Sequence, residues 1–78
     1  MMMKDNAILK ALKKRYEANI SEADAVIVQT LYTGVAVGTH TQALIEDIDK
    51  NLQKKADNKE KINSLLDIEK LLADVQTK

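Results

Sequence analysis

The scarcity of helix-breaking residues is the feature that most limits how this chain of 78 residues can fold. The sequence has no proline and only two glycines, Gly34 and Gly38, which lie close together near its middle. The segments on either side are rich in Ala, Leu, Lys, Glu, Gln and Ile, residues that favour helix over strand. The sequence therefore predicts two helical segments separated by one interruption.

The spacing of apolar residues supports this interpretation. In the first half they recur about every 3.7 residues, close to the helical period of about 3.6. This stripe predicts a helix from about Asp5 to Thr33, and a similar stripe predicts a second helix from about His40 to Gln76. The residues of the first stripe are Leu9, Leu12, Tyr16, Ile20, Ala23, Ile27 and Leu31. Those of the second are Ile45, Ile48, Leu52, Ala56, Ile62, Leu65, Leu66, Leu72 and Val75.

The segment between the stripes carries the signals of a turn over residues 34–39. Gly34 is placed to end the first helix in the left-handed conformation, and Thr39-x-x-Gln42 has the form of a capping box for the second. Two helices joined by a short loop pack antiparallel. A loop centred near residue 36 or 37 predicts that facing residues have numbers adding to about 73. Tyr16 then lies near Asp57, and Ile20 near Gln53.

Two alternatives to a simple hairpin are open at this point. The polar segment from Gln53 to Lys61 offers only Ala56 to a partner helix, and Asp57-x-x-Glu60 is itself a possible capping box. The second helix would then break near Asp57 and give three helices. The β-branched residues around Gly34 also allow a strand hairpin, which is disfavoured because two strands alone are marginal in water.

The small size of the chain predicts self-association. Chains of this length usually need disulfides, a metal or partners to become stable, and this one has no cysteine and a single histidine. The predicted fold is therefore an all-α antiparallel two-helix hairpin, one domain over residues 1–78, that assembles into a homo-oligomeric helical bundle. Apolar residues lying off the first stripe or widening the second predict the contact surface: Val26, Ile27, Val28, Leu31, Tyr32, Ile68, Leu71 and Leu72.

Charge is balanced overall but segregated along the sequence. Residues 1–20 carry +3, residues 21–49 carry −5, residues 50–61 carry +3 and residues 62–78 carry −1. The folded hairpin is expected to have an acidic turn and a basic waist made of Lys10, Lys13, Lys14, Arg15, Lys54, Lys55, Lys59 and Lys61. Nucleic-acid binding is disfavoured, because the net charge is zero and aromatic residues for base stacking are nearly missing.

The turn is the best candidate for a ligand site, although the sequence favours an ordinary corner between two helices over a ligand site there. Backbone N–H groups at the start of a helix, with hydroxyl groups beside them, attract phosphates. The acidic turn opposes an anion there unless a neighbouring protomer supplies basic residues. The candidate site residues are Tyr32, Gly34, Gly38, Thr39, His40 and Thr41, together with Lys14 and Arg15 of a neighbour.

Other function classes are disfavoured. A two-helix hairpin offers no cleft for catalysis, one histidine without cysteine makes a structural metal site unexpected, and no cofactor is predicted. The uncharged stretch Ala25 to Ile45 would span about 32 Å as a helix. Its threonines, glutamines and glycines disfavour a membrane span. The amino-terminal residues lack the pattern of a signal peptide, so a cytoplasmic location is expected.

Four segments resemble small helical-hairpin proteins encoded by tailed bacteriophages. They are Arg15-Tyr16-Glu17-Ala18, Val35-Ala36-Val37-Gly38-Thr39-His40, Ile45-Glu46-Asp47-Ile48-Asp49-Lys50 and Lys61-Ile62-Asn63-Ser64-Leu65. The resemblance covers about residues 12–66, with Ala36 where that family has a glycine and Thr39 in place of its glutamate. It implies a phage accessory protein in the cytoplasm of an infected bacterium. The surplus apolar surface and the segregated charge predict that it engages a host or virion protein. The predicted function is non-enzymatic protein–protein interaction, and the alternative is an oligomeric sponge for a phosphate-bearing nucleotide signal.

Overall fold

Two long helices make up the part of the chain that the structure describes. A computed structural model describes residues 6–38 and 42–77. They form α1 (Ala7–Val37) and α2 (Gln42–Thr77), with no strand among those residues. The helices are antiparallel, since Asn19 pairs with Asn58 and Asp24, later in α1, pairs with Lys55, earlier in α2. The prediction of an all-α helical hairpin is confirmed.

The hairpin is a thin rod. Its principal dimensions are 61 × 15 × 12 Å, and its radius of gyration is 17.8 Å. A compact domain of this length has a radius of gyration of about 11.5 Å. Burial is correspondingly low, since the buried residues among those described are Ala23 at 0%, Asn58 at 5% and Leu65 at 8% exposure.

Helix α1 begins at a polar cap, two residues before its first inward apolar residue, Leu9. The Asn6 side-chain carbonyl accepts hydrogen bonds from the backbone N–H groups of Ile8 (2.8 Å) and Leu9 (3.3 Å). Asparagine is among the best N-caps because its short side chain reaches these otherwise unpaired donors. The observed start is thus close to the predicted one near Asp5.

The predicted end of α1 is one turn too early. The helix continues through Gly34 to Val37, and Gly38 takes the left-handed conformation (φ 70°, ψ 26°). The Gly38 N–H donates to the carbonyl oxygens of Gly34 (2.9 Å) and Val35 (3.2 Å). Either glycine satisfies the backbone requirement of a C-cap, and ending at Gly38 adds a further turn of helical hydrogen bonds. The predicted cap residue Thr39 and the predicted start of the second helix at His40 lie outside the described residues.

This longer α1 changes the register of the hairpin. Facing residues have numbers that add to about 77, as shown by Asn19 with Asn58 and Tyr16 with Lys61. The predicted sum of about 73 is wrong by one helical turn, because it placed the loop too early. Tyr16 still borders Asp57 in one surface groove, but its ring contacts the Lys61 ammonium group.

Helix α2 runs without a break through the segment where a third helix was considered. Asp57 does not cap a new helix; its carboxylate accepts a hydrogen bond from Gln53 Nε2 one turn earlier (2.8 Å). The described part of the chain therefore has two helices, and the alternative of a break near Asp57 is not observed.

The face that α2 turns towards α1 follows a seven-residue repeat. A spacing of 3.5 residues keeps one seam facing the partner and gives a left-handed supercoil. The predicted stripe was wrong in detail, since Ile45, Leu52, Ala56, Leu66 and Val75 are exposed. The residues of the repeat, all buried or half-buried, are Leu44, Ile48, Asn51, Lys55, Asn58, Ile62, Leu65, Glu69 and Leu72.

Candidate functional site

The centre of the hairpin is held together by polar contacts. Asn19 Nδ2 donates to Asn58 Oδ1 (3.0 Å), and Asn58 Nδ2 donates to the Lys54 carbonyl oxygen (2.7 Å). Both polar groups of the Asn58 amide are therefore satisfied inside the interface. A buried amide that is hydrogen-bonded across the interface favours one alignment of the helices, because another alignment removes the bond between them.

Two ion pairs flank Ala23, which is fully buried. Lys54 Nζ lies 2.6 Å from Glu22 Oε1, and Lys55 Nζ lies 2.7 Å from Asp24 Oδ1. Ala23 is small enough to let the helices approach, and the residues on either side of it reach across to consecutive lysines of α2. These four charged residues with Asn19 and Asn58 are called the central polar cluster below.

The Glu22–Lys54 pair also changes the acidity of its carboxyl group. The hydrogen bond from Lys54, and then its positive charge, lower the pKa of Glu22 below the ordinary value of 4.5. The Glu22 side chain is 66% exposed, so water screens most of this interaction. The pair positions the helices more than it stabilises them.

A shallow groove continues from the central polar cluster towards the chain termini. The Lys61 Nζ lies 5.5 Å from the centre of the Tyr16 ring, within the range of a cation–π contact. Asp57, Glu60 and Ser64 line the same groove, which has a volume of about 450 Å³. The groove is open to solvent and mixes both signs of charge, so it offers none of the dry surroundings that shift a catalytic group.

An apolar surface covers the end of the hairpin nearest the turn. Val28, Leu31, Tyr32 and Val35 line one cleft of about 230 Å³ on α1. Leu31 and Val35 also line a second cleft, of about 110 Å³, that they share with Ile45 of α2. The exposures of these five side chains range from 52% for Val28 to 82% for Val35. They form one continuous patch, called the turn-end surface below.

A second apolar stripe lies at the other end, on the last turns of α2. Ile68, Leu71 and Val75 are 44%, 59% and 67% exposed, and Leu72 between them is half-buried. Their spacing of three, four and seven residues is the same as that of Val28, Leu31, Tyr32 and Val35. These four residues of α2 are called the terminal-end stripe.

Most of the predicted contact residues have exposed side chains. Val26, Val28, Leu31, Tyr32, Ile68 and Leu71 are exposed, whereas Ile27 and Leu72 are half-buried against the partner helix. Val35 and Ile45 were not predicted as contact residues. The signal for Val35 was present, since it completes a three, four and seven spacing that starts at Val28.

The predicted ligand residues are not brought together within one chain. Tyr32 is exposed, Gly34 lies inside α1 and Gly38 caps it, while Thr39, His40 and Thr41 lie outside the described residues. Lys14 and Arg15 are exposed on the first half of α1, about 28 Å along the helix from Gly34. A site that combines them with the turn requires a second protomer.

Three residues of the basic waist make contacts within the chain. Lys54 and Lys55 pair with carboxylates, and Lys61 lies over Tyr16. The other members, Lys10, Lys13, Lys14, Arg15 and Lys59, are exposed.

The described residues contain neither a cluster of metal-binding side chains nor a membrane-spanning helix. In residues 6–38 and 42–77, no three histidine, cysteine or carboxylate side chains lie close enough together to hold a metal ion. Neither described helix combines the length and the apolar composition that a bilayer crossing requires.

No protein-family model, curated protein or solved structure matches this chain.

Proposed function

We propose that the chain is a small non-enzymatic binding protein that acts through protein–protein contacts. The observation that carries the proposal is the amount of apolar surface on a rod with almost no core. Among the described residues, twelve large hydrophobic side chains are exposed, whereas the buried apolar residues are Ala23 and Leu65. Contiguous apolar patches on a folded chain mark interaction sites, since water exposure of such a patch is unfavourable.

The proposed assembly is a homo-oligomeric helical bundle. Two helices cover one face of each other and leave the remaining faces to water, so a second hairpin is the simplest cover. Both the turn-end surface and the terminal-end stripe have the spacing with which helices pack against helices.

The proposed setting is an accessory or regulatory factor of a tailed bacteriophage. This part of the proposal rests on the resemblance carried by residues 12–66. The factor would work in the cytoplasm of the infected host cell and bind a host or virion protein. The exposed terminal-end stripe suits the docking of an amphipathic helix from such a partner.

Light scattering over a range of protein concentrations tests the proposal. A helical oligomer is expected at micromolar concentration, together with a melting temperature that rises with concentration, because association stabilises the folded chain. A monodisperse monomer with a cooperative melt independent of concentration would contradict the proposed assembly.

A second candidate function is the sequestration of a phosphate-bearing nucleotide signal. Two observations favour it. The backbone at Gly38 is open, since among the described residues other than its chain neighbours no atom lies within 4 Å of the position that a side-chain carbon would occupy there, and Lys14 and Arg15 are exposed. The turn of one protomer would then face these two residues of another, where the Arg15 guanidinium can form bidentate contacts to phosphate.

Calorimetry with cyclic dinucleotides tests this second candidate. Binding is expected in wild type and should be lost in Arg15→Ala and in His40→Ala. No heat with any cyclic dinucleotide, or heat unchanged by both substitutions, would remove this candidate.

A further inference from the structure

The turn-end surface has the properties of a surface that binds a copy of itself. Residues 25–45 of the sequence carry no formal charge. In a two-fold dimer each residue near the axis faces its own copy, so a charged surface would meet the same charge and repel. An uncharged apolar surface has no such penalty. The terminal-end stripe, by contrast, is interspersed with Glu69, Lys70 and Asp74.

The shape of the turn-end surface is also self-complementary. Leu31 and Val35 form a ridge on α1, and the cleft beside them reaches Ile45 on α2. A ridge next to a cleft lets the ridge of one copy enter the cleft of the other, as ridges pack into grooves between helices.

The surplus area exposed by one hairpin is larger than the area that one partner buries in a standard dimer interface. The chain exposes 6081 Å², whereas a compact monomer of 8.7 kDa exposes about 4,700 Å². The excess of about 1,300 Å² exceeds the roughly 800 Å² that each partner buries in a standard interface.

We propose that the turn-end surface binds a second copy of this chain in a two-fold dimer, in which the hairpins overlap by their turn halves and point in opposite directions. This inference rests on the proposed function and names the partner for one of its two surfaces. The terminal-end stripes then lie at the two far ends of the dimer, free for other proteins.

The charge distribution favours a dimer in which the hairpins point in opposite directions over one in which they are parallel. In parallel hairpins the acidic residues Glu46, Asp47 and Asp49 lie level with their own copies. In opposed hairpins, with the axis near Ile45 at the centre of the turn-end surface, Glu46 and Asp47 lie level with the uncharged residues Leu44 and Ala43 of the second copy. The opposed arrangement therefore avoids the like-charge repulsion of the parallel one.

Paired glutamate substitutions test which surface carries the dimer. Val28→Glu with Val35→Glu places charges in the turn-end surface, and Ile68→Glu with Val75→Glu does the same in the terminal-end stripe as the matched control. The first pair is expected to weaken dimerisation about tenfold or more, because carboxylates would be buried without partners. The control pair is expected to leave the dissociation constant within about twofold. Analytical ultracentrifugation measures both, and circular dichroism reports whether each variant stays helical.

A distance measurement between two spin labels tests the relative direction of the hairpins and leaves the turn-end surface unmutated. The chain has no cysteine, so Asn63→Cys gives one spin label per protomer at an exposed position of α2. Opposed hairpins with the axis near Ile45 place the two labels about 54 Å apart along the axis. Parallel hairpins place them within about 25 Å, the width of two packed hairpins.

The outcomes separate this inference from the proposed function. A dimer weakened by the turn-end pair, with a label distance near the longer value, supports the inference. A short label distance, or an oligomer that survives the turn-end pair and dissociates in the terminal-end pair, overturns it and leaves an oligomeric binding protein standing. A wild-type monomer at high concentration overturns both.

Discussion

Asn19 Nδ2 donates a hydrogen bond of 3.0 Å to Asn58 Oδ1 across the middle of the hairpin, where Asn58 is only 5% exposed. Asn58 is a polar residue at a position that the seven-residue repeat ordinarily gives to an apolar side chain, and its amide is nevertheless paired through both its oxygen and its nitrogen. The contact fixes which residue of α1 lies opposite which residue of α2.

Breaking this pair on one side should destabilise the hairpin. Asn58→Leu is expected to lower the free energy of unfolding by about 1–3 kcal/mol, because the Asn19 amide loses its partner inside the interface. Asn19→Leu with Asn58→Leu should recover most of that loss. Urea unfolding at one fixed protein concentration measures both, and Asn63→Leu on the exposed side of α2 is the control, expected within about 0.5 kcal/mol of wild type. A fully stable Asn58→Leu single variant would show that the pair contributes nothing.

Enlarging the residue at the closest approach of the helices should force them apart. Ala23 is 0% exposed, so Ala23→Leu is expected to lower the free energy of unfolding by about 1–3 kcal/mol through overpacking. It should also disturb the ion pairs on either side. Ala18→Leu places the same side chain on the exposed face of α1 and should change stability by less than about 0.5 kcal/mol. Equal effects in thermal unfolding of the two variants would contradict this account of Ala23.

The Glu22–Lys54 pair predicts a stability difference that depends on pH. Because the pKa of Glu22 is lowered in the folded chain, its contribution is fully present above the ordinary value of 4.5 and is lost as the pH falls through the lowered value. Glu22→Gln should therefore be less stable than wild type at neutral pH and equal to it in strong acid. The difference should shrink with added salt, since the pair is exposed. Unfolding curves over this pH range measure it.

The control for this prediction removes the other partner. In a Lys54→Met background, Glu22→Gln should produce no comparable pH-dependent difference, because the hydrogen bond and charge that lower the pKa are gone. A difference that persists in that background would assign the pH effect to another group.

The left-handed cap at Gly38 predicts a conformational penalty for other residues. A side-chain carbon at this position would meet nothing within 4 Å, so Gly38→Ala suffers no clash and its effect is purely one of backbone conformation. Gly38→Ala is expected to lower the free energy of unfolding by about 1 kcal/mol, and Gly38→Asn by less, because asparagine tolerates positive φ. Chemical denaturation ranks the three proteins. Equal stability of the Ala variant and wild type would place the end of α1 elsewhere.

The existence of two helices follows from residues that can be read directly in the sequence. Gly34 and Gly38 are the only strong interruptions, and apolar residues at helical spacing flank them on both sides. The exact turn was harder to predict, because both glycines can take the left-handed conformation. Hydrogen bonding decides between them, since the backbone of residues 34–37 gains partners when the helix continues to Val37.

The predicted apolar stripe of α2 differs from the face that α2 turns towards α1. A stripe at about 3.6 residues drifts across the helix and selects Ile45, Leu52 and Ala56, whereas a repeat of 3.5 selects Asn51 and Asn58. A pattern of apolar residues alone does not include the polar residues on this inner face. The amide of half-buried Asn51 is hydrogen-bonded within its own helix, since its Nδ2 donates to the Asp47 carbonyl oxygen (2.8 Å).

The candidate interaction surface was predictable where the chain is uncharged and apolar on several sides, as at Val28 and Tyr32. Ile45 was assigned to the interior because its side depends on the register of α2, and register depends on the position of the turn. A prediction that misplaces the turn by four residues therefore also misassigns the neighbouring surface.

The rod shape of the hairpin fixes the spacing of its two apolar ends. Leu31 of α1 lies opposite residue 46 of α2, 25 residues before Leu71, so the two leucines are separated by about 38 Å along the axis. Both helices run without a break across this span, so continuous helix joins the two ends. A protein bound at one end is held at a set distance from a protein bound at the other, and lengthening α1 and α2 together by one heptad each would increase that distance by about 10 Å.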